Sequence, residues 1–172
     1  MSRSTILIML AVSASAMSPA AAGALAQPEP NQQDRTFLHQ AHQANLAEIQ
    51  AGEAAQDKAA GETVRKLGAK LITDHTRMDR DVRRVAEQAG VDLPARPSPE
   101  QRRRLKQVAA HSGAAFDRAW LAAQIAGHRQ TLADGAAELR EGSSPAVKKL
   151  ATEAKPDIQM HLDMAEEAND GR

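Results

Sequence analysis

The sequence lacks cysteine and tyrosine, and its aromatic residues are only Phe37, Phe116 and Trp120. Without cysteine the chain forms no disulfide, thiolate metal site or cysteine nucleophile. So few aromatic residues argue against an all-β sandwich or barrel, because such strands use many aromatic and β-branched side chains. Neither positive nor negative charge is in excess, since Lys+Arg and Asp+Glu are both 22. This balance argues against a nucleic-acid-binding protein.

The first 26 residues contain no acidic residue and have the order of a secretory signal peptide. Arg3 precedes an apolar run over residues 6–12, and an Ala/Ser-rich stretch ends in Ala24-Leu25-Ala26. A transmembrane anchor is the alternative, but the apolar run is too short to span a bilayer as a helix. We therefore expect cleavage after Ala26, a flexible leader over 27–33, and a periplasmic or secreted protein. The mature chain then has no membrane span.

Helix-forming residues dominate the rest of the chain, and apolar periodicity predicts four long helices in two hairpins. Asp34 is the predicted N-cap of the first helix. A Pro-containing linker follows Gly90, and Ser98 and Pro99 have the pattern of a capped start to a short basic helix. A connection of this length favours an all-α, ferritin-like four-helix bundle over 34–170, with a long crossover between its hairpins.

The two halves of this region resemble each other at a constant offset of 83 residues, without a gap. The matching pairs are Asp34/Asp117, Phe37/Trp120, Leu38/Leu121, Gly52/Gly135, Val64/Val147, Leu67/Leu150 and Asp74/Asp157. A duplicated hairpin with pseudo-twofold symmetry explains the offset. Chance similarity between two Ala-rich amphipathic hairpins is the alternative.

Each long helix carries one strongly polar residue within its apolar stripe, at helical spacings of three and four. These residues are Glu48, His75, His128 and His161. Counted from the predicted turns, all four fall near the middle of the bundle. Burying a carboxylate and three imidazoles together is costly unless they satisfy one another or bind a metal ion.

Two interpretations of this polar layer follow. The first is a single transition-metal ion (Zn, Cu or Fe), with Asp74, Asp79 and Asp157 orienting the imidazoles. The second is a metal-free, hydrogen-bonded layer that fixes the register of the helices. His39, His42 and His111 are interpreted as surface residues, with an inward position left open for His42.

Short motifs in a fixed order carry a family resemblance. They are D-x-x-F-L at 34–38, Glu48 followed by Gly52, T-D-H-T at 73–76, F-D-x-x-W-L at 116–121 and H-L at 161–162. The chain resembles the exported bacterial family called domain of unknown function 4142, which has a ferritin-like four-helix fold. The resemblance implies that Glu48, His75, His128 and His161 are the family's recurring polar positions, and it implies no activity.

One departure from true ferritins narrows the metal hypothesis. Di-iron bundles use Glu-x-x-His, whereas Ile72, Ile125 and Ile158 stand three residues before the three histidines. We therefore predict a mononuclear site and not a di-iron centre.

No nucleophile elbow or phosphate-binding loop is present in the sequence, which favours a protein without catalytic residues. The expected function is periplasmic metal handling or stress protection. The alternative is a non-catalytic structural or interaction protein of the cell envelope, and the sequence identifies no protein partner.

Overall fold

A computed structural model describes residues 29–171, so the predicted signal peptide lies outside the described residues. This part of the chain forms helices α1 (Gln32–Lys58), α2 (Glu62–Gln88), α3 (Pro99–Ala109), α4 (Gly113–Glu141) and α5 (Pro145–Asp170). Among the described residues, no helix has the length and apolarity needed to cross a bilayer.

The four long helices form an all-α, ferritin-like four-helix bundle. α1 pairs with α2 and α4 pairs with α5, while α1 also packs beside α4 and α2 beside α5. The crossover helix α3 packs against α1 and α4. The predicted fold class is confirmed, as is the pair of hairpins joined by a crossover with a short helix.

The helix starts follow from local hydrogen bonding. Ser98 accepts a hydrogen bond from the Gln101 backbone in a capping box, as predicted. The first helix begins earlier than predicted, because Asn31 and not Asp34 is its N-cap. Asn31 Oδ1 accepts the Asp34 N–H at 2.9 Å, and Asp34 Oδ2 accepts the Asn31 N–H at 2.7 Å. The last two residues of the predicted leader therefore belong to α1.

Two reciprocal sets of hydrogen bonds connect the two halves of the repeat in the structure. The Asp34 carboxylate accepts backbone N–H groups of Ser143 and Ser144 in the α4–α5 turn, at 3.1 and 3.0 Å. The Asp117 carboxylate accepts those of Ala60 and Gly61 in the α1–α2 turn, at 3.1 and 2.8 Å.

Both the acceptors and the donors of these contacts are related by the offset of 83 residues. The first helix of each hairpin thus accepts hydrogen bonds from the turn of the other hairpin. The bundle has the predicted pseudo-twofold symmetry.

The core consists of two apolar clusters at opposite ends of the bundle. We call one the packed end, with buried residues Ala55, Val64, Leu67, Leu71, Phe116, Trp120, Leu121 and Ala165. We call the other the open end, with Phe37, Leu38, Val82, Val85, Ala86, Val91, Val147, Leu150 and Ala151. Along α1, α2 and α5, the predicted polar residue falls between the ranges that these two clusters occupy. On α4, His128 follows the packed-end residues Phe116, Trp120 and Leu121.

Candidate metal centre

Helices α2, α4 and α5 bring three of the predicted residues together. His75, His128 and His161 are buried, with exposed fractions of 2%, 2% and 0%. Their ring centroids are 5.4, 5.5 and 5.7 Å apart, close to an equilateral triangle. Among the described residues, these three side chains form a group able to hold a metal ion.

Each imidazole has one ring nitrogen hydrogen-bonded to an oxygen outside the triangle. The pairs are His75 Nδ1 with Asn45 Oδ1 at 2.9 Å, His128 Nδ1 with the Gln124 backbone oxygen at 2.9 Å, and His161 Nε2 with Asp74 Oδ2 at 2.8 Å. Because these oxygens accept, we assign the proton of each neutral imidazole to the bonded nitrogen.

The other nitrogen of each ring is buried and has no hydrogen-bond partner. These atoms are His75 Nε2, His128 Nε2 and His161 Nδ1. One candidate ligand atom from each of the three histidines lies within 4.8 Å of the others. In the assigned tautomers the unpartnered nitrogens carry lone pairs, so three donors of the kind that ligate transition metals share one small volume.

Electrostatics keep at least two of these rings in the ligating form. Burial, with smaller contributions from His128 and His161, lowers the pKa of His75 well below its ordinary value. Burial also lowers the pKa of His161, against the opposing effect of Asp74. At neutral pH both rings are therefore neutral, and a neutral imidazole is the form that binds metal.

Glu48 is not a member of the group that the three histidines form. The Gln124 amide donates a hydrogen bond to its carboxylate, while Oε2 is buried and has no partner. Burial raises the pKa of Glu48, although the nearby His128 opposes this effect. The structure thus brings together three of the four predicted ligands, and α1 contributes Asn45 to the layer as a hydrogen-bond acceptor.

The acidic residues expected around the site have different roles. Asp74 accepts from His161, on another helix, whereas Asp157 forms an ion pair with Arg77. Asp79 bonds His42 Nδ1 at 2.6 Å. His42 is buried, with an exposed fraction of 6%. His42 therefore takes the inward position that the sequence left open and not a surface position, because α1 turns this ring toward the buried carboxylate of Asp79 on α2.

Sequence reasoning missed Asn45 and Gln124 as partners of the imidazoles. The repeat offered a signal for Asn45, because it lies 83 residues before His128 and so occupies the equivalent position on the other hairpin. Gln124 contributes through its backbone carbonyl, for which a sequence pattern gives no signal.

The donor set suits one borderline transition-metal ion. Three imidazoles leave further coordination positions for water or another ligand, as in zinc sites that keep an open position. The oxygen acceptors on the outer nitrogens fix the ring orientations, which is the usual arrangement around metal-bound histidine.

Fold and site together define a ferritin-like bundle with a buried histidine triad. The chain belongs to the family described as domain of unknown function (DUF4142), whose model matches residues 19–168. It is similar in fold to the crystal structure of a DUF305 fragment from Deinococcus radiodurans, with a TM-score of 0.74 and 16% sequence identity. That similarity covers 84% of this chain and 100% of the fragment. None of the curated proteins matches this chain.

Proposed function

We propose that this protein binds one transition-metal ion through His75, His128 and His161 and serves in periplasmic metal handling or stress protection. The observation that carries the proposal is the set of three buried, unpartnered ring nitrogens that share one small volume. Buried polar atoms in proteins nearly always have a partner, and each exception requires an explanation. A single cation would satisfy all three lone pairs at once.

Glu48 enters the proposal as a fourth donor. Its Oε2 is buried without a hydrogen-bond partner, and its carboxylate interacts electrostatically with His128. A metal ion would supply the positive charge that this buried carboxylate lacks. We expect Glu48→Gln to weaken metal binding less than any histidine substitution, because the group of three imidazoles is complete without it.

The test is metal analysis of untagged protein purified from cells that express the full sequence. After chelation, Zn, Cu, Fe and Mn are added singly and thermal unfolding is measured. An ion at about 1,000 times its Kd stabilises the folded state by about 4 kcal/mol, which corresponds to a rise of about 10 °C in Tm.

The matched variants are His128→Ala and His111→Ala, because His111 is exposed. We expect His128→Ala to lose both the bound metal and the rise in Tm, while His111→Ala keeps both. Protein without bound metal and without a shift in Tm for any of the four ions would contradict the proposal.

The second candidate is a metal-free polar layer in a structural or interaction protein of the cell envelope. The bonds from Asn45 to His75 and from Asp74 to His161 favour it, because each joins two helices. Under this alternative, changing all three histidines to leucine leaves stability unchanged or raised, since apolar residues replace buried polar groups well. Loss of a metal-dependent part of the stability in the same variant would instead favour the metal site.

Export is a separate part of the proposal and has its own test. We expect to find the protein in the periplasmic or secreted fraction. Its measured mass should be that of a chain that begins at Gln27. A cytoplasmic protein that retains residues 1–26 would contradict export, without bearing on the metal site.

A further inference from the structure

Helices α1, α3 and α4 enclose a cavity of about 430 Å³, which we call the crossover cavity. Its lining includes the exposed residues Glu100, Arg104 and Gln130, so the cavity opens to the surface beside α3. Glu48 and Gln124 also line it. The crossover cavity therefore extends from the surface to the polar layer of the bundle.

The inner wall of this cavity lies next to His128. The Glu48 carboxylate interacts electrostatically with His128, and Glu48 Oε1 lies 3.3 Å from the position that a Cβ on Gly127 would take. Gln124 is a neighbour of the same ring, because its backbone oxygen bonds His128 Nδ1 at 2.9 Å. The side chains of this wall therefore separate the cavity from the histidine triad.

Acceptor atoms without hydrogen-bond partners continue from this wall into the triad. They are Glu48 Oε2, Gln124 Oε1 and His128 Nε2, and all three are buried. Carboxylate oxygen, amide oxygen and imidazole nitrogen are all ligand atoms for metal ions. A cation that passes the wall therefore meets a ligand atom at each step.

The charge of the crossover cavity also favours cations. Its charged residues are Glu48, Glu100, Arg104 and Asp134, of which three are acidic. Glu100 pairs with Arg104 at 3.3 Å, so the half-buried Glu48 and Asp134 provide the acidic excess. Burial raises the pKa of both carboxyl groups, and an arriving cation favours their ionised form. A cleft with an excess of one charge speeds the association of ions of the opposite charge.

A second cavity, of about 650 Å³, lies between the four long helices at the open end and meets the triad at His75. We call it the open-end cavity. Asn45 lines it as well and bonds His75 Nδ1 at 2.9 Å, whereas the unpartnered Nε2 of this ring is buried. An ion in this cavity therefore faces the hydrogen-bonded side of the ring, among apolar side chains such as Phe37 and Ile158. The crossover cavity is the better route for an ion.

We infer that metal ions reach the histidine triad through the crossover cavity, with Asp134 and then Glu48 as transient ligands. Each carboxylate replaces part of the water around the ion before His128 binds it. The inference rests on the proposed function, which supplies the bound ion, and adds the route by which that ion arrives. Loading and release both follow this route, so residues along it control the two rates.

The first test fills each cavity with the same substitution. Ala123 lines the crossover cavity and Ala154 lines the open-end cavity, and both residues are half-buried. We expect Ala123→Leu to slow loading and release by the same factor, at least about fivefold, because an obstacle on the route hinders passage in both directions. The Kd is then unchanged, since only the barrier has risen. The matched control Ala154→Leu leaves both rates unchanged.

The probe is the ion among Zn, Cu, Fe and Mn that raises the Tm of chelated protein most. Loading is followed by stopped-flow as the loss of free ion from a chromophoric indicator. Release is followed as transfer of the ion from loaded protein to an excess of chelator. Equilibrium competition with the same indicator gives the Kd.

The second test changes the charge of the route in opposite directions. Arg104→Gln removes a positive charge that acts on Glu48, so we expect loading about threefold faster at low salt. Asp134→Asn removes a carboxylate, so we expect loading about threefold slower. Both effects decrease at high salt, because salt screens the charges at the mouth of the cavity.

Each charge variant has a matched control outside the cavity lining. Arg103→Gln removes a positive charge from an exposed position on α3. Asp163→Asn removes a carboxylate from an exposed position on α5. Asp163 accepts a hydrogen bond from the Gln159 amide, as Asp134 does from the Gln130 amide, both at 2.8 Å. We expect neither control to change the loading rate.

The inference is overturned if folded Ala123→Leu loads and releases the ion at the parent rates, or if Ala154→Leu alone slows them. Equal effects of Arg104→Gln and Arg103→Gln would also contradict it. Thermal unfolding verifies that each variant is folded, and the charge variants decide the matter if Ala123→Leu does not fold. If no ion raises the Tm of the parent protein, the proposed function and the route both fail. An ion that binds with the parent Kd in every variant, at unchanged rates, removes the route alone.

Discussion

The packed end and the open end occupy equivalent positions of one pseudo-symmetric scaffold, yet they differ in how completely side chains fill them. At the packed end Phe116 and Trp120 are buried to 0% and 1% exposure, and Trp120 Nε1 donates to the Ala51 carbonyl at 2.8 Å. Their equivalents at the open end are Gln33 and Phe37. The backbone repeat therefore fixes the helix arrangement, while side-chain volume separates an end that supplies stability from one that offers space.

The helix–helix spacing shows the same difference at a pair of glycines. A Cβ added to Gly52 would lie 2.6 Å from the Gly68 carbonyl oxygen and 2.7 Å from Ile72 Cγ1. At the equivalent Gly135 nothing lies within 4 Å. Gly52 thus allows close approach of α1 and α2, whereas Gly135 borders the open-end cavity, the space of about 650 Å³ between the four long helices.

Truncating the largest side chain at each end tests the comparison most severely. We expect Trp120→Ala to reduce the free energy of unfolding by about 4 kcal/mol, because it leaves a void in a filled core. We expect Phe37→Ala to cost about 2 kcal/mol, because its side chain already borders an open space. Urea denaturation of both variants provides the measurement, and equal losses would show that the two ends are equally well packed.

Substitutions at the two glycines are expected to change the stability less, and in opposite directions. Gly52→Ala is expected to destabilise the protein by about 2 kcal/mol, since the added methyl group overpacks the α1–α2 contact. Gly135→Ala is expected to stabilise it by about 0.5–1 kcal/mol, because alanine is the better helix former and meets no neighbour. Thermal and urea unfolding of the two variants can be compared directly, and a loss of stability in Gly135→Ala would refute the open space at that position.

Much of the fold could be predicted from the sequence, because helix stripes and turn residues act locally. The hairpins, the capped crossover helix and the repeat all follow from such patterns. The predicted start of α1 was wrong. Asn31 and Asp34 are both good capping residues, and residue type alone does not show which of them is the N-cap. The capping box that joins the two residues places the N-cap at Asn31.

The candidate site was predictable only in part, for a geometric reason. Asn45 and Glu48 lie three residues apart on α1, so they differ by about 4.5 Å along the helix axis and by a fraction of a turn around it. The packing of α1 on α2, with Gly52 at the close approach, decides which of them meets His75. The cavity was not predictable from the apolar stripes, because these give the polarity of a face and not the volume left between faces.

The two ends also differ in whether they bury an ionisable side chain. Ala55 at the packed end and its equivalent Glu138 at the open end both have an exposed fraction of 0%. Burial, with the hydrogen bond and negative charge of Asp34, raises the pKa of Glu138 to about 8. Although burial alone would raise it, hydrogen bonds from Ser143, Ser144 and Asn31 lower the pKa of Asp34 to about 2. At neutral pH a protonated Glu138 therefore lies beside an ionised Asp34.

The effect of this pair on stability has a defined dependence on pH. The unfolded chain releases the Glu138 proton near its ordinary pKa of 4.5, while the folded chain keeps it up to about 8. The stability from this group is therefore complete below pH 4.5 and is lost as the pH rises through 8. Glu138→Gln keeps a neutral donor beside Asp34 and removes the titration.

We expect Glu138→Gln to match the parent protein at pH 5 and to melt about 5 °C higher at pH 9. The difference between the two melting curves isolates Glu138 from the other groups that titrate over this range. Glu141→Gln, at an exposed position three residues along α4, should follow the parent at every pH. If Glu138→Gln also follows the parent, Glu138 is ionised in the folded chain at neutral pH, and the open end tolerates two adjacent carboxylates because water reaches them. The cavity would then extend as a hydrated space to the α4–α5 turn, which would sharpen the contrast with the packed end.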